Sequence, residues 1–177
     1  TPTSLPEFTE FLFRYQKVHP SAHVRGTAGL QDILEQMEAL PLPAEIWERE
    51  ILHRRMRDYS REQVATLTAT GTIVWVGSGS GKLQCIVRGE GSAFLAARES
   101  TALSESGRRI LSYLTEHGAS FLTDIRTGTH LSLSALNNGL AELLWNGLIT
   151  NDAFAELLAV KRLAASDESQ PLEPIDL

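Results

Sequence analysis

The chain has 177 residues, of which 42% are hydrophobic, 21% charged and 7% aromatic, with a formal net charge of −6. That is long enough for one core or two small ones, and it excludes a disordered or low-complexity chain. No apolar run approaches the ~18 to 20 residues of a membrane span, and the first residues lack the order of a secretory signal, so a cytoplasmic location without a membrane partner is expected. The single cysteine, Cys85, excludes an internal disulfide and a thiolate metal cluster.

Ser4-Leu5-Pro6-Glu7 has the form of a capping box with proline at the helix start. Leu5, Phe8, Leu12 and Tyr15 then recur at helical spacing, which predicts a short helix ending before Pro20. Gly26 to Gly29 reads as a break. Beyond it, Leu30, Ile33, Leu34, Met37 and Leu40 draw one apolar stripe, closed by Pro41 and Pro43. Pro43 opens a third helix through Trp47, Ile51 and Leu52 to about Arg57, and Ser60 with Gln63 forms a second capping box for a fourth helix reaching Gly71. Ile73 to Val76 and Leu83 to Val87 are β-rich runs joined by Gly77-Ser78-Gly79-Ser80-Gly81, a strong hairpin signal.

Three helices followed by a hairpin is the order of elements in a winged helix, and the order repeats. Ile110, Leu111 and Leu114 mark a helix before Gly118; Phe121, Leu122 and Ile125 mark a second; Leu136, Leu140, Leu143 and Leu144 mark a third. Val64-Ala65-Thr66-Leu67 through Gly71-Thr72-Ile73 aligns with Leu140-Ala141-Glu142-Leu143 through Gly147-Leu148-Ile149 at an offset of 76. In both copies a glycine ends the third helix and an apolar strand is expected two residues later. The expected fold is mostly α with small β-hairpins (α+β), as tandem winged-helix domains. Residues 1–27 would be an N-terminal helix and basic linker, 28–89 the first winged helix, 90–104 a linker, 105–164 the second winged helix, and 165–177 a flexible acidic tail.

The negative total hides an asymmetry. From Phe11 to Gln31 there is no acid, while Arg14, Lys17 and Arg25 are positive and His19 and His23 stand beside them. His53 to Arg61 holds Arg54, Arg55, Arg57 and Arg61 against Asp58 alone. From Thr127 to Val160 there is no Lys or Arg. A phosphate backbone would therefore meet the first third of the chain. On the third helix of a winged helix, the usual reader of DNA, the first copy offers Arg61, Gln63 and Thr66, whereas the second offers Ser134, Asn137 and Asn138 without a cation, as a packing module would. The Arg54, Arg55 and Arg57 cluster has an alternative reading as a solvated face paired with Glu48, Glu50 and Asp58. Tyr15, between Arg14 and Lys17, either stacks on a base or completes a core stripe with Phe8 and Leu12, and periodicity favours the core.

Enzymatic motifs are missing. A phosphate-binding loop ending at Gly81-Lys82 would need glycine at Val76 and a hydroxyl at Leu83. His19 and His23 are spaced like metal ligands on a helix, but Pro20 interrupts it and no third ligand is near in sequence. No G-x-S-x-G elbow surrounds a serine. Asp152 reads as a turn residue rather than a lone catalytic acid.

A family resemblance rests on a series of residues in order: Phe8-Thr9-Glu10-Phe11-Leu12-Phe13-Arg14-Tyr15-Gln16; Gly26 with Gly29-Leu30; Leu42-Pro43-Ala44 with Trp47-Glu48; Ile51-Leu52; Arg55 with Arg57-Asp58-Tyr59; Gly71 with Val74-Trp75-Val76-Gly77; and Leu144-Trp145-Asn146-Gly147-Leu148-Ile149-Thr150-Asn151-Asp152-Ala153-Phe154. The series resembles the accessory (DEAD/H-associated) region that follows the motor in Lhr-type large helicase-related proteins. The resemblance implies a parent that is a superfamily-two, ATP-dependent DNA helicase, with DNA repair as its setting, whose tandem winged helices help form the strand channel. It implies single-stranded DNA or a DNA/RNA hybrid, and the motor domains of the same chain, as partners. ATP and magnesium would belong to those motor domains, leaving this region without a cofactor or catalysis of its own. The family's base-stacking aromatic, usually tryptophan, maps onto Tyr15 before Gln16. The candidate contacts are Arg14, Tyr15, Lys17, Arg54, Arg55, Arg57, Arg61 and Gln63. Two other readings stay open: a winged-helix protein-interaction module, and a base-excision (glycosylase-like) domain.

Overall fold

Local signals set most helix ends. Ser4 and Glu7 close a capping box, the Ser4 N–H and hydroxyl both reaching Glu7 Oε2 at 2.9 and 2.6 Å, and α1 (Leu5–Tyr15) follows. The computed structural model describes residues 3–79, 81–95 and 103–152. After a 3-10 turn (Pro20–Ala22) come α2 (Gly26–Gln36), β1 (Leu42–Pro43), and a helical stretch over 44–55 made of α3 (Ala44–Ile46), a π-helical segment (Trp47–Leu52) and α4 (His53–Arg55). The first lobe continues with α5 (Arg61–Ala69), β2 (Ile73–Gly77), β3 (Lys82–Val87) and the single turn α6 (Gly91–Phe94). The second lobe is α7 (Glu105–His117), α8 (Leu122–Thr129) and α9 (Leu133–Trp145). The architecture is α+β and mostly helical, and no helix among the described residues is long and apolar enough to cross a membrane.

The repeat read from the sequence has a structural counterpart at the end of the third helix of each lobe. Gly71 and Gly147 both take left-handed backbone, φ 69° and 68°, which glycine adopts without a side-chain penalty. Gly71 N–H bonds to the Thr68 carbonyl and Thr72 N–H to that of Leu67; 76 residues on, Gly147 N–H bonds to Leu144 and Leu148 N–H to Leu143. Each pair closes its helix in the same Schellman-like way.

Several expectations are corrected. α2 begins at Gly26 rather than after Gly29, because both carboxylate oxygens of Asp58 accept from the Gly26 N–H at 3.2 Å and so cap the helix from a distant part of the chain. Leu42 and Pro43, read only as a stop and a start, form an edge strand: the sheet runs β1-β3-β2, antiparallel, with Leu42 opposite Leu83 and Trp75 opposite Cys85. The strand expected from Ile149 is not formed over residues 149–152. Instead, the Thr150 hydroxyl donates to the Trp75 carbonyl on the outer strand at 2.6 Å. The rest of the expected second wing and the tail, from 153 on, lie outside the described residues, as do residues 96–102 of the expected linker.

Leu30, Ile33, Leu34, Trp47, Leu52, Trp75 and Leu83 fill the first core. Trp47 and Trp75 meet edge to face at 5.2 Å, and the Trp47 indole donates to the Leu83 carbonyl at 2.7 Å, so the large rings bury without stranding that N–H. A smaller core holds Ile110, Ile125, Leu136 and Leu143. α9 serves both: Leu143 enters the second core and its neighbour Leu144 the first.

Candidate nucleic-acid interface

α1 is an amphipathic helix that buries none of its residues. The periodicity of Phe8, Leu12 and Tyr15 therefore marks a face that the described residues leave uncovered, and the core reading of Tyr15 is overturned: Tyr15 is 57% exposed. Its ring stacks on Phe11, equally exposed, at 5.9 Å and 19°. Phe11 holds the tyrosine ring from one turn earlier, and its i, i+4 spacing to Tyr15 was the available signal for it.

The C-terminal end of α1 is tied to the 3-10 turn and to α2. The Tyr15 carbonyl accepts from Gln36 Nε2 at 3.1 Å, and Lys17 Nζ donates to Gln36 Oε1 at 3.2 Å. Arg14 donates to the Ser21 hydroxyl at 3.0 Å, and Arg57 Nη2 to the Pro20 carbonyl at 2.7 Å. Four of the eight candidates, Arg14, Tyr15, Lys17 and Arg57, are thereby gathered around one turn. Arg25 adjoins them, since the carbonyl of its neighbour Val24 accepts from the Arg57 N–H at 3.1 Å. It was visible in the sequence as a charge of the acid-free stretch but not singled out as a contact. Arg14 has an i, i+4 ion pair with Glu10 at 2.8 Å, while no ion pair among the described residues engages Lys17, Arg25 or Arg57.

The other four candidates have local duties. Arg54 pairs with Glu50 at 2.6 Å. Arg61 grips both oxygens of Glu48 at 2.6 and 2.8 Å, and Tyr59 donates to the same carboxylate at 3.2 Å. The hydrogen bond from Arg61 holds the Glu48 carboxyl below the usual carboxylate range against a partial desolvation that works the other way. Gln63 is placed by its capping box, Oε1 accepting from the Ser60 N–H at 3.1 Å, which is a helix-starting role rather than a base-reading one. Arg55, expected as a contact, is 9% exposed, and its guanidinium folds back onto the Glu50 and Ile51 carbonyls at 3.4 Å. It closes the helical stretch over 44–55 as arginines near helix C-termini do, and burial lowers its pKa. Of Arg54, Arg55 and Arg57, the solvated-pair reading thus describes Arg54, while burial removes Arg55 from the surface; Arg61, outside that reading, is paired as well.

The histidines are spent locally, His19 Nδ1 against the Ser21 hydroxyl at 2.8 Å and His23 Nε2 against the Val18 carbonyl at 3.3 Å. Among the described residues no three His, Cys, Asp or Glu side chains are grouped to hold a metal. Asp152 stands with Gly71, Trp75, Arg88 and Thr150 around a cavity of about 50 Å³. Small-molecule sites usually offer roughly 300 to 1,000 Å³.

The winged-helix domain of the large helicase-related protein matches this chain over residues 4–89. The chain thus carries a winged-helix domain of the large helicase-related (Lhr) family. It is 34% identical over 161 residues, 80% of its length, to the Lhr helicase/uracil glycosylase of Escherichia coli (strain K12). It is 30% identical over 166 residues, 90% of its length, to the Lhr helicase/probable uracil glycosylase of Mycolicibacterium smegmatis. It spans about a tenth of the length of these Lhr relatives, 10% and 11%. The chain is a winged-helix region of the kind found in Lhr helicases, and α1, at the start of the matched span, is part of that family domain.

Proposed function

We propose that this region grips and positions a single strand of DNA, or the DNA of a DNA/RNA hybrid, for an Lhr-type ATP-dependent helicase, and that it does so with Tyr15, Arg14, Lys17 and Arg57. The observation that carries this is the exposed Phe11–Tyr15 stack set beside cations gathered on one turn. An aromatic face for a base and positive charge for the backbone are the two parts of a sequence-tolerant single-strand site, and stacking contributes about 1 to 3 kcal/mol per base. Arg25 belongs to the same cationic set. ATP and magnesium would be held by motor domains elsewhere in the parent chain, and DNA repair is the setting the relatives' names suggest.

The test is binding of a fluorescent oligothymidine to the chain across a salt series. Phosphate contacts predict a steep linear fall of log affinity with log salt, and replacing Lys17 and Arg57 with glutamine lowers the slope by up to about 0.7 for each phosphate no longer neutralised. Affinity indifferent to salt would instead favour a protein-interaction module. The relatives' names also carry uracil glycosylase, and a base-excision role here would require Asp152 or another acid to face a base. The small cavity beside Asp152 gives that reading less support.

A further inference from the structure

On the helical wheel, Leu5, Phe8, Phe11, Leu12 and Tyr15 fall within about 120° of the circumference of α1. The Leu5, Phe8 and Leu12 side chains in this arc are 77%, 49% and 37% exposed. An isolated helix of this length is marginal in water, and helices in proteins owe most of their stability to covering such a face. From ordinary side-chain areas, Leu5, Phe8, Phe11 and Leu12 together leave about 400 Å² of apolar surface on one side, or about 800 Å² with a partner's share, the scale of interfaces between domains of one chain. The cations adjoin the C-terminal end, near Tyr15, while Glu7 and Glu10 lie on the N-terminal part and Arg14 is paired to Glu10. Nucleic acid is thus a poor occupant for the stretch from Leu5 to Leu12.

We propose that this part of α1 is a docking helix for another domain of the same, longer polypeptide. The relatives extend about ten times the length matched here, so most of their surface lies outside this region. A domain tethered on the same chain is present at an effective concentration that can reach the millimolar range, which favours it over a second copy. Tyr15 would then sit at the seam between the docked domain and the cationic turn. The inference does not depend on Tyr15 binding a base.

The experiment is photocrosslinking in the complete polypeptide, with Phe8→benzoylphenylalanine as the probe. The expected product is a link within one polypeptide to a peptide outside these 177 residues, with a yield unchanged by dilution. A dimeric product whose yield falls on dilution, links only to added oligonucleotide, or no link at all would each overturn the proposal. As a second measurement, Phe8→Ser combined with Leu12→Ser in the complete polypeptide should raise the rate of limited proteolysis between domains severalfold, because the docked domain is released. An unchanged rate would count against docking. Single-strand affinity lost on changing Tyr15, with crosslinking intact, would separate the two proposals.

Discussion

Gly77 meets the carbonyl of Leu144 with no room for a β-carbon between them. The outer strand of the sheet thus ends against the backbone of α9, and next to it the Gly79 N–H donates to the Trp145 carbonyl at 3.0 Å. The contact joins backbone to backbone, so no side-chain rotation relieves an added methyl. Gly77→Ala should lower unfolding free energy by about 3 kcal/mol, at the upper end of overpacking costs. Gly91→Ala, whose new methyl would meet Leu95 at an ordinary 3.4 Å, should cost little. Urea unfolding of both variants checks this, and equal midpoints would mean that the lobes separate without strain.

The Trp47 indole N–H is bonded to the Leu83 carbonyl inside the first core. Trp47→Phe removes that donor and its hydrogen bond, which should cost about 0.5 to 1.5 kcal/mol beyond the effect of the smaller ring. The unfolding midpoint, followed by the fluorescence of the remaining tryptophans, reads the loss.

Glu48 gives a pH dependence with a definite sign. Its folded pKa is lowered, chiefly by the hydrogen bond from Arg61, so its contribution is present above the unfolded value of about 4.3 and is lost as pH falls through the folded value. Glu48→Gln should destabilise by about 1 kcal/mol near neutral pH, because the Arg61 side of the pair is solvent-exposed. The difference from the natural chain should shrink below about pH 4. Urea midpoints from pH 7 down to 3 measure it, and a constant difference would show that the charge of Glu48 is not what stabilises.

The Cys85 thiol is pushed up to about 12, mainly by burial, with the charges of Glu38 and Glu35 adding to it. At pH 8 it should resist thiol reagents in the folded chain and react only at the rate of unfolding. Fast modification of the native protein would mean that β3 opens readily.

The helices, the hairpin and the repeat were legible because capping boxes, glycine stops and apolar spacing act within a few residues. Gly71 and Gly147 show this best, two local stops with the same hydrogen bonds. What escaped the sequence depended on distant partners. Asp58 starts α2 from 32 residues away, and Leu42–Pro43 become a strand only because Leu83 and Lys82 lie opposite. The candidate site divided for the same reason. Charge runs identify cations but not their occupation, so Arg57 and Lys17 could not be told from Arg61, engaged by Glu48, or from Arg55, folded onto its own helix. Helical spacing likewise revealed that α1 has an apolar face, not that the rest of the described chain leaves it uncovered.

On the proposed function, Tyr15 offers a base a stacking face. The measurement is affinity for a single-stranded oligonucleotide across a salt series, for the natural chain, Tyr15→Ala and Tyr15→Trp. The expected result is a loss of about 1 to 3 kcal/mol for alanine, a gain for tryptophan, and the same salt slope in all three. Three equal affinities would contradict it.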